Sequence, residues 1–253
     1  MTQRNYVVGI DCRNMLQDAV QKQLPLKITN QQQKKWHVFK SCFLDFQSNR
    51  LTVAMPIPDH QDPDAEPAQG QEIAVSFKKG YHKCLFTTRI ISQTQFTLES
   101  GPSVPALLIL SPPQIEKIQR RAFNRSLAPP GEPITVTFWS SSAQGPSSDH
   151  KWRGQLYDLS AGGMGLTLLQ SELPHIAEGE QVEICFIPLP GQEPLQLQAR
   201  FRHATELPET GRFMLGFQLL GLEMDEHGRN LLRRIGRIVN VYKRHSKNIH
   251  VPS

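Results

Sequence analysis

The chain has 253 residues, of which 38% are apolar and 20% charged, with a formal net charge of +5. This composition excludes wholesale disorder and fibrous repeats, and the length accommodates two modest domains of roughly 100 to 200 residues each. The longest apolar stretches, such as Val104 to Leu110, fall far short of the ~20 residues a membrane-crossing helix needs, and MTQRNYVVGIDCRN lacks the apolar centre of a secretory leader, so a cytoplasmic protein without a membrane span is expected.

Taken in chain order, Asp11 to Gln23 carries Met15, Leu16 and Val20 at helical spacing and predicts a short amphipathic helix ending before Pro25. Short β-branched and aromatic runs follow at Leu26–Thr29, Val38–Phe46, Leu51–Met55, Glu72–Phe77, Cys84–Ile91, Phe96–Leu98 and Ala106–Leu110. Turn-forming residues separate them, which predicts a small all-β unit. PIPDHQDPDAEPAQGQ, with four prolines and four acids, reads as an exposed excursion from that unit.

Pro112 and Pro113 interrupt the strands, and the basic run IEKIQRRAFNR leads into LAPPGEP. The expected division is therefore an N-terminal β-domain over 1–112, a basic linker over 113–130 and a second β-domain over 131–247. The second domain shows strand signals at Ile134–Trp139, Arg153–Asp158, Met164–Leu169, Gln181–Ile187, Leu195–Arg202 and Phe213–Leu219. From Asp225 to Tyr242, Leu231, Leu232, Ile235, Ile238, Val239 and Tyr242 recur every three or four residues opposite an arginine-rich face, which predicts a closing helix. The fold class expected is mainly β: two small barrels in tandem, the second closed by the terminal helix.

The four cysteines, Cys12, Cys42, Cys84 and Cys185, stand singly, without a CxxC pair or a histidine at metal-ligand spacing. Reduced packed thiols are expected, with no metal site and no disulfide framework. Basic residues gather at Lys117, Arg120, Arg121 and Arg125, and again from Arg229 to Lys247, so anionic partners are expected. They are not interleaved with an aromatic stacking platform, which argues against a single-strand nucleic-acid binder.

Two short motifs carry the chemistry. Arg121 and Arg125 form an RxxxR pair preceded by Arg120, and Asp158, Ser160 and Gly163 form a DxSxxG pattern that includes Gly162. Alone, the first reads as a solvated basic linker and the second as a hairpin turn braced by Asp and Ser. In this order, about thirty residues apart and flanking the start of a β-domain, they resemble the PilZ domain family, as do GGMGLTL, FMLGFQLL and the terminal amphipathic helix. The N-terminal layout resembles the β-domain that accompanies PilZ in flagellar-brake proteins of the YcgR type.

The resemblance implies a non-enzymatic receptor for cyclic di-GMP, with no other cofactor. Arg121 and Arg125 would contact phosphate and guanine, since a guanidinium fork bonds either bidentately and stacks on a base. Asp158 would accept from guanine N1 and N2, Ser160 would bond the same base or a phosphate, and Gly162 and Gly163 would keep side chains clear of the ligand. Arg120, by the same likeness, implies two ligand molecules per chain. Ligand held between RxxxR and DxSxxG would change domain orientation, with flagellar motor or basal-body proteins as partners of a monomer or homodimer. Exopolysaccharide synthesis, adhesion and transcription are alternative outputs. A hydrolase built on Asp158 and Ser160 lacks a nearby histidine, a GxSxG elbow and a Walker loop, and a nucleic-acid regulator would have to rest on the final helix alone.

Overall fold

Glycine at position 9, with φ of +58°, lets the chain turn from a short strand, β1 (Tyr6–Val8), directly into α1 (Gly9–Gln21). The computed structural model describes residues 6–33, 35–59, 67–80, 82–98, 101–119, 125–131, 133–141, 151–208 and 210–247. α1 buries Cys12, Met15, Leu16 and Ala19, one stripe of a 3.6-residue period. It stops two residues before the sequence-based limit because Gln23 adopts a left-handed φ of +46° and Leu24 N–H returns to the Ala19 carbonyl at 2.9 Å.

The first sheet contains β2 (Pro25–Gln32), β3 (Lys35–Gln47), β4 (Arg50–Ala54), β5 (Ile57–Pro58), β6 (Glu72–Lys79), β7 (His82–Thr97), β8 (Ser103–Leu110) and β9 (Gln114–Gln119). Its pairings run β7, β6, β2, β3, β4, β8 and back to β7, a closed ring of six antiparallel strands. β3 and β7 are the corner strands. Each pairs along its first half with one neighbour and along its second half with another, with a bulge at the change, between Phe43 and Asp45 in β3 and between Ile90 and Ser92 in β7. The interior is filled by Ile28, Phe39, Phe43, Val75, Phe77 and Phe86 with the buried face of α1, and Phe43 meets Phe77 edge to face at 5.2 Å.

The stretch expected as linker, 113–130, includes two strands. Gln114–Gln119 is β9, paired with β1 and β7, and Ser126–Leu127, here β10, pairs with the strand that carries Asp158. Of Phe96–Leu98, expected as a separate strand, Phe96 and Thr97 are the end of β7, which continues through the polar Ser92 to Gln95.

The second sheet adds β11 (Thr135–Ser140), β12 (Lys151–Ser160), β13 (Gly163–Leu169), β14 (Gln181–Phe186), β15 (Leu195–Leu207) and β16 (Arg212–Leu219). The order β12, β11, β14, β15, β16, β13 returns to β12, so a second six-stranded barrel closes, with β10 on β12. Strict alternation in β14 buries Val182, Ile184 and Phe186. Phe217 sits at the centre of this core, 5.4 Å from Phe138 and 5.7 Å from Phe201.

α2 (Glu226–Lys247) begins where Asp225 caps it, accepting from Gly228 N–H at 2.7 Å. Leu232, Ile235, Ile238, Val239 and Tyr242 are buried, and the Tyr242 hydroxyl donates to the Pro188 carbonyl at 2.7 Å. The chain forms two compact units, Met1–Arg120 with Glu223–Gly228, and Arg121–Leu222 with Arg229–Ser253. All four cysteines are free thiols, and burial pushes Cys84 up to about 11. Among the described residues no helix is long and apolar enough to cross a membrane, and no cluster of side chains could hold a metal ion.

Candidate ligand-binding site

β12 would alternate inward and outward along its length, but a bulge between Leu156 and Asp158 breaks the count. Leu156 pairs with the buried Leu166, whereas Asp158 pairs with Gly165, and Tyr157 is left 43% exposed between them. The bulge therefore turns Asp158 onto the outer face of the barrel instead of into its core. Gly165 has no side chain there, and a Cβ at that position would lie 3.2 Å from Asp158 Oδ1. The carboxylate occupies the space that glycine leaves, and the Asp158 side chain is only 11% exposed.

Arg125 follows into the same place, immediately before β10. Its Nη1 lies 3.1 Å from Asp158 Oδ1 and 3.0 Å from Oδ2. The arginine side chain is 52% exposed, so the pair contributes no more than about 1 kcal/mol to stability. Its chemical consequence is larger. One nitrogen serves both carboxylate oxygens, while Nη2 stands 3.7 Å from where a Cβ on Gly163 would project. The guanidinium and the carboxylate thus lie side by side over two glycines, a donor and an acceptor presented together.

Gly163 itself is constrained by the fold. A Cβ there would come within 2.5 Å of the Phe217 carbonyl oxygen, so its bareness permits the close approach of β13 to β16. A Cβ on Gly162 would meet nothing within 4 Å. Neither residue is among those with a positive φ, so the tight turn expected of them needs no left-handed backbone. Ser160 is buried at 5% exposure. Its hydroxyl donates to the Gly163 carbonyl at 3.1 Å and accepts from Gly162 N–H at 3.4 Å, which braces the turn from within.

Of the seven expected site residues, the structure brings Arg125, Asp158, Ser160, Gly162 and Gly163 to one end of the β12–β13 hairpin. Arg120 and Arg121 lie outside the described residues. Gly165, which makes room for the key carboxylate, was not among the expected residues, although it stands in the GGMGLTL run; only the strand register discloses it. The terminal helix spends some of its basic face locally. Arg234 donates to the backbone carbonyls of Pro194, at 3.1 Å, and Glu193, and Arg233 donates to Asn230 at 2.6 Å.

Comparison with known proteins gives two family matches. The PilZ domain model matches residues 119–237, and the model described as Flagellar protein YcgR matches residues 20–99. No curated protein matches. Among solved structures, MrkH of K. pneumonia in its apo state is similar with a TM-score of 0.54 at 12% identity, over 98% of each chain. A second crystal of MrkH gives 0.55 at 13% identity, again over 98% of each. YcgR from Escherichia coli in complex with c-di-GMP matches at 20% identity, over 94% of this chain and 92% of that one, with a TM-score of 0.36. The MrkH likeness shows a shared fold.

Proposed function

The chain belongs to the PilZ-domain family, with a YcgR-type N-terminal domain before the PilZ domain, and from that premise we propose that it is a receptor for cyclic di-GMP and not an enzyme. The observation that carries the proposal is the Arg125–Asp158 pair, set on the outer face of the barrel over Gly163 and Gly165. A guanine edge offers N1–H and the N2 amino group to a carboxylate, and O6 and N7 to a guanidinium. Asp158 retains acceptor capacity beside Arg125, because a carboxylate has about four lone-pair sites.

In this reading Arg121 and Arg125 bind phosphate and guanine, Asp158 selects guanine, and Ser160 holds the turn that positions both Asp158 and the backbone of Gly162 and Gly163. Charge-assisted bonds contribute about 1.5–3 kcal/mol each, so a few of them support micromolar binding. Arg120 adds a second ligand molecule to the complex. Because one ligand engages both the segment before β10 and the β12–β13 turn, binding reorients the two domains, and the reoriented form acts on flagellar motor proteins at the basal body to regulate motility.

Calorimetry with cyclic di-GMP on the wild type, Arg121→Ala and Asp158→Ala tests ligand, site and stoichiometry together. Wild-type protein that fails to bind overturns the receptor reading, and a ratio of one ligand per chain overturns the role of Arg120. Solution scattering with and without ligand tests the reorientation: an unchanged profile on saturation removes it. Swimming in soft agar with the gene deleted tests the output, and an unaltered swimming rate with altered matrix or adhesion would move the output away from the motor.

A further inference from the structure

Positive charge is concentrated at the C-terminal end of the sequence. From His227 to Ser253 there are seven Lys and Arg and no Asp or Glu, whereas the rest of the chain carries 21 Lys and Arg against 23 acids. α2 sorts that charge to one side. At about 100° per residue, Arg229, Arg233, Arg237, Asn240 and Arg244 all fall within about 40° of the direction opposite Tyr242, whose side chain is fully buried. They form a straight row about 22 Å long, at 1.5 Å per residue.

Arg237, Asn240 and Arg244 are exposed, and neither arginine makes a hydrogen bond or ion pair with another described residue. Glu226 stands in the same row at the helix start, and no acid follows it on α2. Glu193, beside the helix, meets it through a backbone carbonyl that accepts from Arg234, on the flank of the row. Cations in the last turn of a helix favour its dipole, which is a structural use for Arg244. It is no use for Arg229, Arg233 and Arg237, which lie two turns or more before the helix end.

A partner for this row must present dense negative charge along a straight or flat front. The major groove of a duplex admits a free helix about as wide as itself, and α2 is not free, because Leu232, Ile235, Ile238, Val239 and Tyr242 on its other side are buried. The phosphate strands of a duplex also wind away from a straight row, whereas a charged bilayer meets it along its whole length. We propose that the outer face of α2 docks this protein on membranes containing anionic phospholipid, with Arg237 and Arg244 against the lipid phosphates. Each Lys or Arg near such a surface strengthens binding about fivefold, so docking by a few of them is reversible and salt-dependent. It rests on α2 alone and is independent of the receptor reading.

The test is co-sedimentation of the full chain with vesicles of phosphatidylcholine alone, or of phosphatidylcholine and phosphatidylglycerol in equal parts. Wild-type protein is expected to sediment only with the anionic vesicles, and to be released at about 1 M salt, where the screening length is about 3 Å. The double variant Arg237→Ala with Arg244→Ala should bind them about 25-fold more weakly, and Arg237→Lys with Arg244→Lys, which keeps the charge, should bind nearly as wild type. The lysine pair also guards against an alanine pair that folds poorly, which melting curves would show. Wild-type protein left in the supernatant with anionic vesicles at low salt overturns the proposal, as does undiminished binding by the alanine pair. Binding lost equally in the lysine pair overturns the role of charge. A duplex DNA fragment that displaces wild-type protein from the vesicles at equal phosphate concentration, and that the alanine pair does not bind, would reassign the row to nucleic acid.

Discussion

Gly165 and Asp158 share one volume: a Cβ on the glycine would stand 3.2 Å from the Oδ1 of the acid and 3.4 Å from its Cγ. That spacing is tighter than an ordinary van der Waals contact, and the carboxylate is already pinned by Arg125. Gly165→Ala should therefore push Asp158 by a few tenths of an ångström out of line with a guanine edge. The expected result is a rise of about tenfold in the cyclic di-GMP Kd, or about 1.4 kcal/mol, by calorimetry, with little change in Tm because nothing in the core moves.

The two preceding glycines should behave differently from it and from each other. A Cβ on Gly163 would meet the Phe217 carbonyl oxygen at 2.5 Å, and a backbone atom cannot rotate away. Gly163→Ala should separate β13 from β16 at a cost of about 1–3 kcal/mol, seen as a clear fall in Tm. Gly162→Ala, with nothing within 4 Å, should stay within about 0.5 kcal/mol of wild type. Weakened ligand binding in Gly162→Ala would then report contact with the ligand itself.

Asp158→Ala separates selectivity from stability. Arg125 is half exposed and recovers its hydration when its partner is removed, so the melting temperature should change little. Binding should fall by about 10- to 150-fold, the equivalent of one charge-assisted contact of ~1.5–3 kcal/mol. Adenine lacks the N1–H and N2 amino donors, so wild-type protein should prefer cyclic di-GMP to cyclic di-AMP and the alanine variant should lose much of that preference. A preference that survives in Asp158→Ala would transfer selectivity to another group.

The strands and α2 are legible in the sequence because their periodicities are strong: Val182, Ile184 and Phe186 alternate, and Leu232, Ile235, Val239 and Tyr242 follow a helical stripe. β9 is not, because four of the six residues of QIEKIQ are polar, and burial of both Ile115 and Glu116 follows from pairing with β1 and β7, which lie far off in sequence. The continuity of β7 is hidden for a similar reason, since Ser92 to Gln95 pair with β8 with their side chains partly or fully exposed. At the site, the residue types of RxxxR and DxSxxG are visible at once. The role of Gly165 is not, because it depends on the bulge at Leu156/Asp158, which shifts the register by one residue.

Ser160 acts on the site through the turn. Its buried hydroxyl is engaged with both Gly163 O and Gly162 N–H, so Ser160→Ala leaves two backbone groups short of a partner at a cost of about 1 kcal/mol. A fall of a few degrees in Tm is expected, with a smaller loss of cyclic di-GMP affinity than Asp158→Ala causes. A loss of affinity as large as that of Asp158→Ala, at unchanged Tm, would make the hydroxyl a direct ligand contact instead.

Far from these residues, Asp59 gives the first barrel an acid-sensitive clasp. Its N–H donates to the Val38 carbonyl, and its carboxylate is 2.5 Å from Lys40 Nζ and 3.3 Å from Lys27 Nζ, joining β2 to β3. Burial pushes its pKa up, but the hydrogen bonds and charges of Lys40 and Lys27 outweigh burial and hold it below the ordinary value. A carboxylate whose pKa is lower when folded stabilises the fold above its unfolded pKa of about 3.9, and that stabilisation disappears as pH falls through the folded value. Both lysines are about half exposed or more, so the contribution at pH 7 is no more than about 1 kcal/mol. Asp59→Asn should be slightly less stable than wild type in urea melts at pH 7. The gap should narrow as pH drops below about 4, whereas a gap that stays constant from pH 7 to pH 3 would show that packing, and not the ion pairs, holds this corner.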